Sequence, residues 1–281
     1  MTSEVAVLIG TGSIGVAIGR RAAIGRHLLL ADYNETALET VAEQLRGEGY
    51  EVTTQPADVS VHASVAALAD AAAALGPVTR VIHAAGVSPV QASTERVLHV
   101  DLLGTAYVLK EFGRVVAPGG SGIVVASMAG HMGPGFPREI ELALAHTPTA
   151  DLPGLDFLSP EKVGNSGAAY TLAKRANALR VRAAAVTWGE RGARVNCISP
   201  GIIATPLARD EMSGPNAAGY RHMIDTSAAG RMGTPADVAD AAALLLGPDG
   251  SFITGSDLLI DGGIIAARFA AEHATAAEPS A

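Results

Sequence analysis

A tyrosine and a lysine four residues apart are the most chemically suggestive pair in this 281-residue chain. Tyr170 and Lys174 lie in a helical pattern, and the i, i+4 spacing puts phenol and ammonium on one helix face. A free tyrosine has a pKa of about 10 and is a poor base at neutral pH. A fixed positive charge favours the phenolate and lowers that pKa, so the pair predicts a proton shuttle. The same spacing is also common in surface pairs that carry no function.

A glycine-rich turn near the N-terminus predicts a phosphate-binding loop. The segment 10–15 reads G-T-G-S-I-G, follows an apolar run and opens a helical pattern. Gly10 permits the tight turn, Gly12 lets the backbone approach a pyrophosphate, and Gly15 lets helix and strand pack closely. The helix N-terminus then offers free N–H groups to phosphate. Taken alone the motif is weak evidence, because the chain has 32 glycines.

An acidic residue after the second apolar run indicates which dinucleotide the loop would take. Asp32 lies 17 residues after Gly15, where a carboxylate can accept hydrogen bonds from the adenosine ribose hydroxyls. It would repel a ribose 2′-phosphate, and no arginine or lysine follows it closely. The position therefore favours NAD over NADP, unless Asp32 merely begins the turn into the next helix.

Alternating apolar runs predict the elements that position these residues. Strands are expected at 5–9, 27–31, 52–55, 80–83, 122–126, 193–198 and 258–260. Helices are expected at 14–23, 34–46, 61–75, 95–116 and 168–188, with a late one from 234. Near-continuous apolar strands are typical of a parallel sheet covered on both faces. The sequence predicts a single doubly wound parallel sheet, a Rossmann fold in the α/β class.

Polar residues before three of these helices are candidate caps. Asn34 is expected to cap the second helix, and Ser166 the helix that carries Tyr170. Thr234 and Asp237 have the spacing of a capping box around Pro235.

Composition excludes several classes of function. The net charge of −8 disfavours nucleic acid and anionic membrane surfaces as partners. The low-charge stretch 115–137 is interrupted by glycines and prolines, so it predicts a buried strand between turns. The N-terminus lacks a signal-peptide pattern, and we expect a cytoplasmic protein. The eight histidines lack metal-ligand spacing, so no metal site is expected, and the single cysteine, Cys197, is interpreted as a core residue.

With Ser127 at the end of the run 123–127, these pieces resemble the short-chain dehydrogenase/reductase family. The resemblance covers residues 5–263. Further matching pieces are Asp58-Val59, Ala84-Ala85-Gly86, Arg194-Val195-Asn196, Ser199-Pro200-Gly201, Thr205 and Asp261-Gly262-Gly263. Their order and spacing carry the assignment, since no single piece is decisive.

The resemblance implies a role for each matching residue. Tyr170 would exchange a proton with the substrate oxygen, Lys174 would lower the pKa of Tyr170 and bond the nicotinamide ribose, and Ser127 would hold the substrate oxygen. Thr205 would hold the nicotinamide carboxamide. The implied cofactor-binding residues are Gly10, Gly12, Ser13, Ile14, Gly15, Asp32, Asp58, Val59, Ala85, Gly86, Tyr170, Lys174, Pro200, Gly201, Ile203 and Thr205.

Three positions depart from the family pattern. The glycine loop is one residue short, with Ile9 in place of threonine, and Ala84 replaces a structural asparagine. Asp101 replaces the asparagine that is the fourth catalytic member, whose backbone carbonyl holds a relay water. We expect that backbone role to tolerate Asp101, although a carboxylate near Lys174 would shift both pKa values, and a purely structural role is equally open.

The fourth departure is a long segment between Ser127 and Tyr170, which are 43 residues apart. This insertion, at about 131–165, includes a possible helix at 138–146 and leaves and re-enters beside the expected site. It is interpreted as a lid or pocket wall, or alternatively as a surface or oligomer-contact excursion. Its removal is expected to change substrate range more than cofactor affinity. Residues 1–266 would form the domain and 267–281 an Ala-rich tail, a frayed helix or loose end.

These observations together predict an NAD-dependent oxidoreductase that transfers a hydride between nicotinamide and a neutral or hydrophobic alcohol or ketone. The alternative is a catalytically silent NAD-binding sensor on the same fold. The resemblance also implies a homotetramer, or a dimer, built on the helices at 95–116 and 168–188. Region 210–225, where this family has its mobile substrate loop, contains glycines and a proline.

Overall fold

A computed structural model describes residues 3–214 and 217–277. Its centre is one seven-stranded sheet with every strand pair parallel. The strands are β1 (Val5–Ile9), β2 (His27–Asp32), β3 (Val52–Pro56), β4 (Val78–His83), β5 (Val116–Val125), β6 (Arg194–Pro200) and β7 (Asp257–Ile260), in the order β3-β2-β1-β4-β5-β6-β7. The order reverses between β1 and β4, which is where doubly wound sheets bind their ligands.

Helices cover both faces of the sheet. They are α1 (Ser13–Ala22), α2 (Glu35–Gly47), α3 (His62–Leu75), α4 (Thr94–Val97), α5 (Gly104–Val115), α6 (Arg138–His146), α7 (Pro160–Val163), α8 (Ser166–Glu190), α9 (Pro206–Ser213), α10 (Ala217–Thr226), α11 (Pro235–Leu246) and α12 (Ile264–Ala277). One core joins the sheet to α3, α5 and α8, around Phe112 and Trp188. The other joins it to α1, α2 and α11, around Ile18 and Leu38. The doubly wound architecture expected from the sequence is confirmed.

The capping predictions succeed at two helices and fail at the third. Asn34 accepts a hydrogen bond from the Ala37 N–H, and Thr234 and Asp237 form a capping box. The prediction that Ser166 caps α8 is wrong. Asn165 accepts the hydrogen bond from the Ala168 N–H, because the helix begins one residue earlier, and the Ser166 hydroxyl donates to the Pro89 carbonyl.

Two element boundaries differ from the sequence-based ones. The helix expected at 95–116 is interrupted by a π-helical turn, Leu98–Leu103, that separates α4 from α5 and contains Asp101. β5 begins directly after α5 rather than at 122, with an irregularity where its register against β4 shifts.

The long segment between Ser127 and Tyr170 is structured in its middle. Helix α6 forms at the expected residues and is followed by two 3₁₀ turns, Leu152–Gly154 and Asp156–Leu158. Leu144, Leu152 and Leu158 are buried in a cluster with residues of α8 and of the π-helical turn. The segment therefore packs on α8 along much of its length.

The region after β6 forms helices where a flexible loop was expected. Helices α9 and α10 cover most of 206–226, while Pro215 and Asn216 lie outside the described residues. Helix α12 begins before the expected tail, and Ile264 and Ile265 are buried against Met128 and Ile202. The last tail residues, 278–281, lie outside the described residues. Among the described helices, none is long and apolar enough to cross a membrane.

Candidate active site

A cavity of about 930 Å³ opens at the carboxyl ends of the strands, where the order of the sheet reverses. Strands β4, β5 and β6 end on its wall, and α8 runs along it. The residues named from the sequence that line it are Ile14, Gly86, Ser127, Tyr170, Lys174, Pro200, Gly201, Ile203 and Thr205. The structure thus brings together the nicotinamide and substrate ends of the expected site.

The glycine loop lies between the end of β1 and the start of α1. Gly10 has φ +96°, and a Cβ there would meet the backbone of Ala84 and Ala85, so only glycine fits. A Cβ on Gly12 would meet nothing within 4 Å, so the loop presents open space there. Gly12 precedes α1 without a side-chain cap, and the first N–H groups of the helix face outward for an anion.

Ser13 and Ile14 continue from this loop into the first turn of α1, and Ile14 reaches the cavity wall. The Cβ of Ala84 would lie 3.0 Å from a Cβ on Gly15, so the small residue at 84 packs against the helix start. The Ala84 N–H donates to the Ile9 carbonyl at 2.7 Å, which links β4 to β1 without the asparagine usual in the family.

Asp32 ends β2 and faces the glycine loop. Its Oδ2 accepts hydrogen bonds from the Thr11 N–H at 2.7 Å and the Thr11 hydroxyl at 2.8 Å, and its Oδ1 accepts from the Asn34 N–H. An ionised carboxylate has about four acceptor positions, so further acceptor capacity remains for a ribose hydroxyl. Asp32 therefore both orders the loop and offers a negative charge beside it.

Asp58, one strand further along, is held by its own loop and by an arginine. Its Oδ1 accepts from the N–H and hydroxyl of Ser60, and its Oδ2 lies 3.6 Å from Arg96 Nη1. Although partial burial opposes the charge, the hydrogen bonds from Ser60 and the Arg96 charge lower the pKa of Asp58. The Arg96 guanidinium also lies 5.5 Å from the centre of the exposed Tyr33 ring.

Arg96 and Tyr33 were not singled out from the sequence. They lie 63 residues apart, and only the fold brings them together. Val59, beside Asp58, and Ala85, beside Gly86, lie near these loops but not on the wall of the cavity.

Ser127, Tyr170 and Lys174 all line this one cavity. Ser127 follows β5 and accepts the Ala129 N–H at 3.1 Å, so its hydroxyl hydrogen can be donated to another group. Tyr170 and Lys174 share a face of α8, with Lys174 Nζ 5.2 Å from the centre of the Tyr170 ring. Only 5% of Lys174 is exposed, so its charge acts through a low-dielectric surrounding.

Lys174 has an acidic neighbour that is completely buried. Asp101 Oδ1 lies 3.6 Å from Lys174 Nζ and accepts a hydrogen bond from the Val87 N–H. A Cβ on Gly86 would lie 2.6 Å from this Oδ1 and 3.3 Å from Lys174 Nζ, so the pair requires glycine at 86. Asp101 itself is not part of the cavity wall.

Many of the remaining lining residues are apolar. The loop after β4 supplies Val90, and helices α9 and α10 supply Leu207, Tyr220 and Met223. The beginning of the insertion supplies Met132, and its end supplies Asn165. Of these, Leu207, Tyr220 and Met223 belong to a region whose contacts could not be deduced from its sequence. The i, i+3 spacing of Tyr220 and Met223 was the available signal.

Several other titratable residues do not line the cavity. His131, in the insertion, forms a hydrogen bond through Nε2 with Asp257 Oδ2 at 2.9 Å. Cys197 is buried, which raises the pKa of its thiol well above the usual value, and its interpretation as a core residue is confirmed. His83 is buried, and burial lowers its pKa to about 3. Among the described residues no cluster of metal-ligand side chains was found.

Comparisons with known proteins agree with this geometry. Residues 4–136 match the family model of short chain dehydrogenase, and residues 142–265 match that of Enoyl-(Acyl carrier protein) reductase. The chain is 38% identical to the short-chain dehydrogenase/reductase bsc3 of Alternaria brassicicola, over 95% of this chain and 97% of that protein. It is 30% identical to galactitol 2-dehydrogenase (L-tagatose-forming) of Cereibacter sphaeroides, over 92% and 93%.

A solved structure of similar fold is 7 alpha-hydroxysteroid dehydrogenase complexed with NADH and 7-oxo glycochenodeoxycholic acid. Its TM-score is 0.72 at 22% identity, and the alignment covers 92% of this chain and 93% of that one.

Proposed function

Because this chain belongs to the short-chain dehydrogenase/reductase family, we propose that it is an NAD-dependent oxidoreductase acting on a neutral or hydrophobic alcohol or ketone. The observation that carries the proposal is the meeting of Ser127, Tyr170 and Lys174 in one cavity that extends to Ile14 at the glycine loop. A hydroxyl donor, a phenol and a buried ammonium beside a dinucleotide loop are the groups that this chemistry needs.

The residues present fit a nicotinamide dinucleotide. The uncapped start of α1 and the open space at Gly12 suit a pyrophosphate, and Asp32 suits an unmodified adenosine ribose. Gly86, Pro200, Gly201, Ile203 and Thr205 line the part of the cavity that would take the nicotinamide half. When bound, this group supplies or accepts the hydride.

The preference for NAD rests on charge at the adenosine end. The Asp32 carboxylate would lie against a 2′-phosphate and repel it. Arg96, the cation nearest to Asp58, donates to the Ser60 hydroxyl at 3.0 Å and pairs with Asp58. The charge of Arg96 is therefore balanced by Asp58 and is not free to hold a 2′-phosphate.

Tyr170 and Ser127 would manage the proton and the oxygen of the substrate. In the oxidising direction the Tyr170 phenolate takes the hydroxyl proton while the Ser127 hydroxyl donates a hydrogen bond to the same oxygen. Lys174 stabilises the phenolate by its charge. In the reducing direction Tyr170 returns the proton to the oxygen of the former carbonyl.

The cavity wall indicates the chemistry of the substrate. Among the described residues that line it, Lys174 is the one with a charged side chain. Met128, Met132, Ile202 and Met223 form an apolar, adaptable wall on the substrate side. A charged substrate would lose its hydration without gaining a partner, so a neutral alicyclic or similarly apolar alcohol fits best.

A thermal melt with NADH and, separately, NADPH tests the cofactor assignment. A ligand at one hundred times its Kd stabilises by about 2.7 kcal/mol, a shift of several degrees for a chain of this length. We expect the larger shift with NADH at equal concentration. A larger shift with NADPH would contradict the Asp32 argument. A shift with NADH but no turnover of any alcohol or ketone would favour the silent sensor instead.

A further inference from the structure

The carboxyl group of Asp101 takes no part in the reaction described above. It is fully buried, with Oδ1 3.6 Å from Lys174 Nζ. The other oxygen, Oδ2, has no hydrogen-bond partner among the described residues. A buried carboxyl oxygen without a partner is costly, because the group has lost its water and gained nothing in exchange. An uncharged, fully paired side chain would make a more stable core at this position.

The backbone carbonyl of Asp101 already has a side-chain partner. The Thr105 hydroxyl donates to it at 2.8 Å. Because that hydroxyl has one hydrogen, it accepts from His83 Nε2, which lies 3.1 Å away. In the family, the backbone carbonyl at this position holds a relay water. Here the Thr105 hydroxyl would compete with such a water for the Asp101 carbonyl. The side chain is the part of Asp101 that reaches Lys174.

We propose that the Asp101 carboxylate is a positioning residue that shares the charge of Lys174 and so sets the pH at which Tyr170 gains and loses its proton. This inference rests on the proposed function, since it assumes that Tyr170 is the acid and base. The ammonium lies 3.6 Å from the Asp101 carboxyl and 5.2 Å from the centre of the Tyr170 ring. A carboxylate beside the ammonium adds a negative potential at Tyr170, which opposes the positive potential of Lys174 and raises the pKa of the phenol.

The pKa of each member of the pair reflects both its burial and the charge of its partner. Burial opposes the charge of Lys174, but the nearby acids Asp101 and Tyr170 outweigh it and raise the pKa of Lys174. Burial raises the pKa of Asp101, and the Lys174 charge works against that rise. The other titratable groups that act on the pair are His83 of β4, Cys197 of β6 and Arg96 of α4.

Of those three groups, two are uncharged near neutral pH. Burial lowers the pKa of His83 to about 3 and raises that of the Cys197 thiol. Arg96 is engaged with Asp58 and Ser60. Asp101 is thus the acidic group within ion-pair distance of Lys174 in the described part of the chain. Its removal leaves the full ammonium charge to act on Tyr170.

The test is the pKa of Tyr170 with and without the carboxylate. Asp101→Asn keeps the shape and an acceptor for the Val87 N–H, and removes the charge. Tyrosinate absorbance is titrated in each protein and in the same protein carrying Tyr170→Phe, and the difference isolates Tyr170. We expect the midpoint in Asp101→Asn to fall by about one pH unit. With a substrate in hand, the pH midpoint of the oxidation rate should fall by the same amount.

Thr105→Val is the matched control. It disturbs the same π-helical turn by removing the bond to the Asp101 carbonyl, and it leaves the carboxylate in place. We expect its Tyr170 midpoint to stay at the wild-type value. If Asp101→Asn fails to fold, Asp101→Ser removes the same charge and is judged in the same way.

Two results would overturn the inference: an unchanged Tyr170 midpoint in the charge-removing variant, or an equal shift in Thr105→Val. The proposed function fails separately, if Tyr170→Phe keeps full turnover. If Tyr170→Phe is inactive and the Asp101 variant shifts nothing, the proposed function stands and only the role of Asp101 is wrong.

Discussion

The environment of Lys174 depends on a neighbouring residue without a side chain, Gly86. The ammonium is buried, yet it has room only because residue 86 has no side chain. The Asp101 carboxylate approaches it from the π-helical turn, so a buried charge finds a counter-charge. The Tyr-x-x-x-Lys spacing predicted that Tyr170 and Lys174 share one face of a helix. It could not predict the buried carboxyl group of Asp101 beside Lys174, because the two residues are 73 positions apart in the sequence.

A second ion pair, between His131 and Asp257, should make stability depend on pH. Its hydrogen bond to Asp257 raises the pKa of His131, against partial burial. A group whose pKa is raised on folding stabilises fully below its unfolded pKa, about 6.5, and loses that contribution as pH rises through the folded pKa. Thermal melts of wild type and His131→Gln should therefore differ more at about pH 6 than at about pH 9, by up to about 1 kcal/mol.

His222→Gln is the control for that experiment, because His222 is an exposed histidine of α10. Its melting temperature should follow the wild type at both pH values. The interpretation of the His131 pair would be abandoned if the His131→Gln deficit were the same at both pH values or larger at the higher one.

At the scale of elements, apolar runs predicted the strands that are buried on both faces of the sheet. Strands β1 and β2 are almost continuous apolar runs, so their places in the chain follow from composition. The π-helical turn at Leu98–Leu103 has no comparable signal, because four of its six residues are leucine or valine and the sequence does not show where the helical phase shifts. The start of β5 was also missed, since the one proline and two glycines at 118–120 are typical of a turn.

The insertion is anchored to α8 by arginines. Arg180 donates to the carbonyls of Leu144 and Thr147 at the end of α6 and to the Thr149 hydroxyl. Arg175, one residue after Lys174, pairs with Glu141 of α6. Only the two ends of the insertion reach the cavity, through Met132 and Asn165. This arrangement favours a fixed pocket wall over a hinged lid. Deletion of the whole segment would also remove contacts that stabilise α8, so it is a poor test of substrate range.

Arg180→Met should loosen the insertion without touching the cofactor site. The change leaves three oxygen acceptors without their donor, and we expect a loss of about 1–3 kcal/mol in unfolding free energy. Thermal melts measure the loss, with Arg182→Met as the matched variant at an exposed position of α8. The stabilisation by NADH should persist in both variants. A wild-type melting temperature in Arg180→Met would show that the anchor contributes nothing.

For the molecule as a whole, the parallel sheet explains why the sequence predicted that motifs far apart in the chain lie at one site. Parallel strands end at one edge of the sheet, so the loops after β1, β4, β5 and β6 must meet there. No such rule predicts that Arg96 lies over the Tyr33 ring or that α9 and α10 line the cavity. Those contacts depend on loop conformations, and loop composition does not specify which side chains meet.

The subunit assembly is open to a direct test. We expect a dimer or tetramer built on the π-helical turn with α5 and on α8, where Val186 is 67% exposed. Light scattering should give two or four times the 28.4 kDa of one chain, and Val186→Arg should reduce that mass. A monomer in the wild type at micromolar concentration would remove this expectation.

The most direct test of the central claim is turnover. NADH formation is followed with a panel of neutral alicyclic alcohols, and NADH consumption with the matching ketones, in wild type and Tyr170→Phe. We predict turnover in wild type, a loss of about 10²–10⁴-fold in Tyr170→Phe with its NADH melt shift intact, and little loss in Tyr220→Phe, a second tyrosine of the cavity wall. Equal turnover in wild type and Tyr170→Phe would contradict the account.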